Sequence, residues 1–201
     1  MNSKKIILAS ASPRRHEIMT MAGLEHTIMT ADVDERSIVF RAGNAEEYVM
    51  DVAQLKNRAV AANVSDDSIV ISADTIVVVG DGEAEKLLGK PVDREDAARM
   101  LGLLSGNRHR VITGVVISQR GVIRHRFAEV THVTFRKLSK NEIIEYISTN
   151  SPMDKAGAYG IQDPEAVTIV SRIEGDYYNV VGLPICRVFV SLAEDGVSAG
   201  A

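Results

Sequence analysis

Two short segments carry residue types that suit phosphate chemistry. In the first, Ile6 to Ala9 runs into Ser10-Ala11-Ser12-Pro13-Arg14-Arg15. Ser12 is placed as a helix N-cap and Pro13 as the first helical residue, so the pattern reads strand, tight loop, helix. Such a junction points unpaired backbone N–H groups and the positive end of a helix dipole at one spot, which is an anion site. Arg14 and Arg15 sit where acidic residues are ordinarily favoured, so they gain from an arriving anion, and guanidinium matches phosphate oxygens bidentately. The alternative is that both are solvated or paired with neighbours such as Glu17. In the second segment, the β-branched run Ile69 to Val79 is interrupted by Ser72-Ala73-Asp74-Thr75. A carboxylate inside an apolar strand costs several kcal/mol unless paired, hydrogen-bonded or metal-bound. With Thr75 beside it and Asp34 or Glu35 brought near, Asp74 could hold magnesium, which takes oxygen ligands, or act as base for a water; a structural Asp at a strand end is the plainer reading. Lys56 and Lys90 are point charges that could neutralise further phosphates, each weak evidence alone.

Other patterns exclude chemistry. His16, His26, His125 and His132 lack zinc spacing, and His109, at a strand start, reads as a hydrogen-bonded structural residue. Gly157-Ala158-Tyr159-Gly160 lacks the G-x-G-x-x-G spacing and the preceding strand of a dinucleotide loop, and no G-x-x-x-x-G-K-[ST] loop is present.

The elements that must position these residues follow from periodicity and punctuation. The first helix carries Ile18, Met21 and Ala22 and ends at Gly23. Asn44 with Glu47 opens a second, whose apolar face of Val49, Val52, Ala53 and Val60 puts the stem of Lys56 at its edge. Ile69 to Val79 reads as an interior strand, turned at Asp81-Gly82. Asp93 caps a helix through Leu104; Val111 to Ser118 and Phe127 to Phe135 form an antiparallel pair around Gly121. Ser139 and Glu142 make a capping box for a helix ended by Ser151-Pro152. Strands are expected near Val167 to Ile173 and Tyr178 to Val181, then a helix from about Pro184. Strands alternating with helices but joined in part by hairpins call for an α/β fold with a mixed, twisted sheet and flanking helices, rather than a doubly wound parallel one.

The chain has 201 residues, 45% of them hydrophobic, and a formal net charge of -4. That size fits one domain over 1–201, and that charge offers no general attraction to nucleic acid. Cys186, the sole cysteine, lies in the apolar stretch Leu183 to Leu192 and reads as a small core residue. Four apolar residues after Lys5 are too few for a signal sequence or membrane span, so a cytoplasmic address is expected. A homodimer is expected without a particular residue to carry it.

Six ordered segments resemble the Maf proteins along nearly the whole chain: Leu8 to Arg15, Ser72 to Thr75, Gly89-Lys90-Pro91, Leu104-Ser105-Gly106 with His109 and Thr113-Gly114, Lys155 to Gln162, and Gly182-Leu183-Pro184. The resemblance implies a fold related to the inosine triphosphate pyrophosphatases, a divalent metal such as magnesium held by Asp74 and Glu35, and hydrolysis of nucleoside triphosphates between the α- and β-phosphates. Asp74 then looks like the catalytic acidic residue, supported by Glu35, Lys56 and Lys90, with Ser10, Arg14 and Arg15 on the substrate. Lys155 to Gln162 is similar to the branch acting on dTTP and UTP and differs from that preferring 7-methyl-GTP; Arg15, Thr75 and Gln162 resemble its specificity residues. A glutamine amide offers donor and acceptor to the edge shared by uracil and thymine. The resemblance departs after Gln162, where Maf proteins usually show a glycine-rich loop and this chain has Asp163-Pro164-Glu165, one residue longer. Maf proteins are also linked to septum formation and arrest of division, which makes a nucleotide-sensing regulator the alternative.

Overall fold

The computed structural model describes residues 4–30, 32–65 and 67–197. One seven-stranded sheet runs through them in the order β2-β1-β3-β5-β6-β7, with β4 paired to β3 off that path. The strands are β1 (Ile6–Leu8), β2 (His26–Ile28), β3 (Ile69–Val79), β4 (Lys86–Leu88), β5 (Arg108–Gln119), β6 (Val122–Phe135) and β7 (Val170–Glu174). β1 runs parallel to β2 and β3, and the remaining pairs are antiparallel. This is the mixed α/β sheet that the alternation of strand and helix patterns requires.

Residues two apart on β3 face the same side of the sheet, and each side has its own cover. On one lies α2 (Ala45–Ala61), packing Val49 with Ile76, Val78 and Ile112, and Val60 with Val70. On the other, α1 (Pro13–Met21) and α7 (Ile185–Glu194) bury Ile18, Met19, Val188 and Leu192 against Ile69, Ile71 and Val115. Towards the far end of that side, α3 (Arg94–Leu104) and α4 (Lys140–Ser148) cover Val77, Val111 and Phe135. The segments α5 (Ala166–Ile169) and α6 (Tyr177–Val181) flank β7.

Local chemistry decides where the sequence pattern and the structure part. Tyr178 to Val181, expected as a strand, is the helix α6, because Asp176 accepts a hydrogen bond from Tyr178 N at 2.8 Å and starts a turn. Buried Asn179 then donates to Val111 O and Thr131 Oγ1, bonds that fix the turn against its β-branched composition. Val167 to Ile169 likewise belongs to a helical turn, and the strand begins at Val170. In α1, Ile18 and Ala22 face the core as expected, but Met19 is buried in place of Met21, which is 65% exposed. Cys186 faces solvent on α7 rather than the core. The box at Ser139 and Glu142 forms with both bonds. At Asn44 and Ser12 the helices start as expected but neither side chain caps, and Glu47 bonds Arg126 instead.

His109, at the start of β5, is buried and bonded through Nε2 to the Tyr159 hydroxyl at 2.9 Å, with edge contacts to Phe135 and Tyr159. Burial pushes its pKa from 6.5 down to about 3. A histidine held neutral contributes stability that is complete above the unfolded value and is lost as pH falls from 6.5 toward 3, where the unfolded chain takes up a proton the folded one refuses. Between pH 7 and pH 5 the wild type should lose about 2 kcal/mol more in urea unfolding than His109→Gln does. Equal losses in the two proteins would show that His109 is not held neutral.

Candidate active site

The interruption in β3 sits at a gap in the sheet. One edge of β3 pairs with β5 from Ile69 to Val78. Along the opposite edge, β1 covers Ile69 to Ile71 and β4 covers Val77 to Val79. Between those partners this edge of β3 has no strand beside it, and Asp74 and Thr75 lie in that stretch. A polar pair in an apolar strand is therefore placed where the strand meets a cleft of about 1070 Å³. Because successive residues face opposite ways, Asp74 turns toward α2 and Thr75 toward α1 and α6.

Asp74 accepts a hydrogen bond from Lys56 Nζ through Oδ1 at 2.7 Å, and the same ammonium stands 2.9 Å from Glu35 Oε1. Lys56 reaches this point from the sheet-facing side of α2. Glu35 comes from the connection before α2, where it opens a short 3-10 turn, Glu35–Ser37, capped by Asp34 accepting from Arg36 N at 3.1 Å. One cation thus gathers two carboxylates, leaving net negative charge and a second oxygen on each acid. Tyr48, two turns before Lys56 on α2, also lines the cleft; burial, then the charges of Asp74 and Glu35, push its phenol pKa up and keep it a donor. Sequence reading passed over Tyr48, although its spacing of eight from Lys56 puts both on one helix face.

Across the cleft, Arg15 is buried and turned inward. Its Nε donates to Gly182 O at 2.8 Å, Nη1 to Ser10 Oγ at 3.1 Å and Nη2 to Thr75 Oγ1 at 3.0 Å. Thr75 and Thr113 share a bond at 2.9 Å, and Thr113 donates to Asn179 O at 3.1 Å. Burial lowers the Arg15 pKa, and Asp74 opposes that shift by raising it. The two arginines read together in the sequence therefore separate: Arg15 ties the first loop, β3 and the segment after α6 together, while Arg14 stands on the cleft rim 3.9 Å from Asp154. Ser10 Oγ accepts from both Arg15 and Ser12 N, so its own proton is left to donate. Lys90 and Gln162 are exposed on the cleft walls, with no side-chain hydrogen bond or ion pair among the described residues. All nine candidate residues, Ser10, Arg14, Arg15, Glu35, Lys56, Asp74, Thr75, Lys90 and Gln162, line this one cleft.

The family model for Maf-like proteins matches residues 5–195. The chain belongs to the Maf family. Among its curated relatives, a Clostridium botulinum protein named dTTP/UTP pyrophosphatase is 44% identical over 191 residues, covering 94% of this chain and 98% of its own. Relatives of the same name from Alkaliphilus oremlandii and Bacillus velezensis are 48% and 45% identical, covering 94% and 98% of this chain and 95% and 100% of their own. In this Maf protein, five of the six recognised segments reach the cleft. The sixth stands behind it: His109 bonds Tyr159, a wall residue, Thr113 bonds Thr75, and Gly114 is the cross-strand partner of Asp74. Among the described residues no helix is long and apolar enough to cross a membrane.

Proposed function

We propose that this Maf protein hydrolyses nucleoside triphosphates, dTTP and UTP foremost, to the monophosphate and pyrophosphate, in a single domain acting on the cytoplasmic nucleotide pool. The observation that carries the reading is the Lys56-bridged pair of Asp74 and Glu35 at an opening in the sheet, faced by Arg14, Lys90 and the N-terminal end of α1. The names of the relatives support the substrate.

A divalent cation fits the donor set. Both acids offer hard oxygen ligands, one oxygen of each lies outside its bond to Lys56, and no third His, Cys, Asp or Glu joins them in a cluster among the described residues. Two carboxylates completed by phosphate oxygens and water suit magnesium, which seldom uses an all-protein cage. Asp74 and Glu35 would hold it, and when bound it supplies positive charge to the phosphates. The chain's own part is orientation and charge. Asp74 aligns a water toward the α-phosphorus and accepts its proton at the carboxylate. Lys56 keeps the two acids together. Arg14, Lys90 and the Ser10 hydroxyl offset charge gathering on the leaving pyrophosphate. The free carboxamide of Gln162 matches the carbonyl and N–H edge of uracil or thymine.

The deciding experiment is pyrophosphate release with magnesium from dTTP, UTP, CTP, GTP, ITP and 7-methyl-GTP. Highest kcat/KM for dTTP and UTP is expected. A purine preference would remove the role given to Gln162, and binding without hydrolysis would make the protein a nucleotide sensor.

A further inference from the structure

Gln162 lies within a turn whose two ends meet on one buried hydroxyl. Asp163 N donates to Gly160 O at 3.0 Å, closing a four-residue turn with Ile161 and Gln162 at its centre. Tyr146, on α4, is 2% exposed and packed in the core beneath α3 and α4. Its hydroxyl donates to Asp163 Oδ2 at 2.6 Å and accepts from Gly160 N at 3.1 Å. Asp163 Oδ1 stands 3.6 Å from Lys155 Nζ, so the buried carboxylate has a cation as well as a donor. The Asp163 and Lys155 side chains pack closely over Gly160, where a Cβ would lie 2.6 Å from Asp163 Oδ1 and 2.6 Å from Lys155 Cε. Burial, then the bond to Asp163, push the phenol pKa up, so the hydroxyl remains a donor to Asp163.

The Asp163 carboxylate thus anchors the turn to the core through Tyr146. We infer that Asp163 and Tyr146 are positioning residues for base selection, clamping both ends of the turn so that the Gln162 carboxamide is presented in one orientation to the base. This inference rests on Gln162 reading the base. Among the described residues neither Tyr146 nor Asp163 bonds Asp74, Glu35 or Lys56, so the clamp acts on discrimination between bases and leaves the chemical step alone. A glutamine on a mobile turn would spend binding energy on being ordered, and the clamp removes that loss beforehand.

The test is a double-mutant cycle of Tyr146→Phe and Gln162→Ala, scored by kcat/KM for dTTP and for CTP, with melting curves as a check on folding. Tyr146→Phe keeps the ring in the core and removes the hydroxyl from both ends of the turn. It is expected to raise KM for dTTP about tenfold, one factor of ten in binding, with kcat and CTP hydrolysis within about twofold of wild type. In the Gln162→Ala background it should change neither ratio. Asp163→Asn, which can still accept from Tyr146, should keep most of the discrimination, and Asp163→Ala should lose it. A general loss of folded enzyme would lower dTTP and CTP rates in proportion. If Gln162→Ala flattens the base preference while Tyr146→Phe leaves it intact, or if the two losses simply multiply, the clamp is refuted. If Gln162→Ala leaves the preference unchanged, the base-reading role fails and the clamp with it.

Discussion

Asp74→Asn is expected to lower kcat/KM for dTTP by about a thousandfold or more, within the span assigned to a positioned general base, while the melting temperature moves by no more than a few degrees. The substitution keeps shape and hydrogen-bonding size, and Lys56 retains Glu35 at 2.9 Å, so no buried cation is orphaned. What disappears is negative charge at the opening of β3. Whether Asp74 acts on a proton or holds a divalent ion, its carboxylate is the group in play, and both roles require it to be ionised. Glu35→Gln should cost less, about ten- to a hundredfold. Its side chain is 52% exposed and hangs from a short turn, whereas that of Asp74 is 17% exposed and fixed in a strand. Retention of more than a tenth of wild-type turnover by Asp74→Asn, with circular dichroism unchanged, would sink the assignment.

Much of this site was legible because the sequence shows local conflicts. A carboxylate in a β-branched strand and two arginines in the first turn of a helix each violate a local preference, and functional sites are where such violations collect. Both led to the cleft. The division of labour within it was hidden, since nothing in the order Arg14-Arg15 says that one side chain will turn inward to Gly182 O and the other stay on the rim. That partition depends on α6, whose helical state rests on an aspartate cap and the long-range bonds of Asn179. Long-range contacts of this kind override the strand propensity of Tyr178 to Val181. The gap between β1 and β4, which explains why β3 carries a polar interruption at all, is likewise a property of pairing and not of any one segment. Asp163 was visible as a departure in sequence, but its anchor, Tyr146, lies 17 residues away on α4 and emerges only in three dimensions.

Gly114→Ala is expected to destabilise the protein by about 3 kcal/mol, at the upper end for overpacking, and to reduce turnover along with stability. Gly114 lies on β5 opposite Asp74, on the side covered by α2. A Cβ there would come 2.6 Å from Val49 C and O and 2.7 Å from Met50 N. Those are helix backbone atoms, so no side-chain rotation relieves the clash and α2 must move outward. The helix is tied to the sheet by Asn57 Nδ2 donating to Val70 O and Val116 O, and by Ser72 Oγ donating to Ala53 O at 2.7 Å. It also carries Lys56, so any retreat lengthens the 2.7 Å contact with Asp74. A fall in melting temperature of about 10 °C is expected for a chain of this size. Gly102, within α3, supplies the opposite case. It is exposed, a Cβ there would meet nothing within 4 Å, and its backbone does not need glycine. Gly102→Ala should therefore stabilise by about 0.5 to 1 kcal/mol through helix propensity and the smaller entropy of the unfolded chain. The same added methyl group thus carries opposite signs at two sites. If Gly114→Ala unfolds at the wild-type temperature, α2 is not seated against β5 as described, and the reach of Lys56 to Asp74 loses its structural basis.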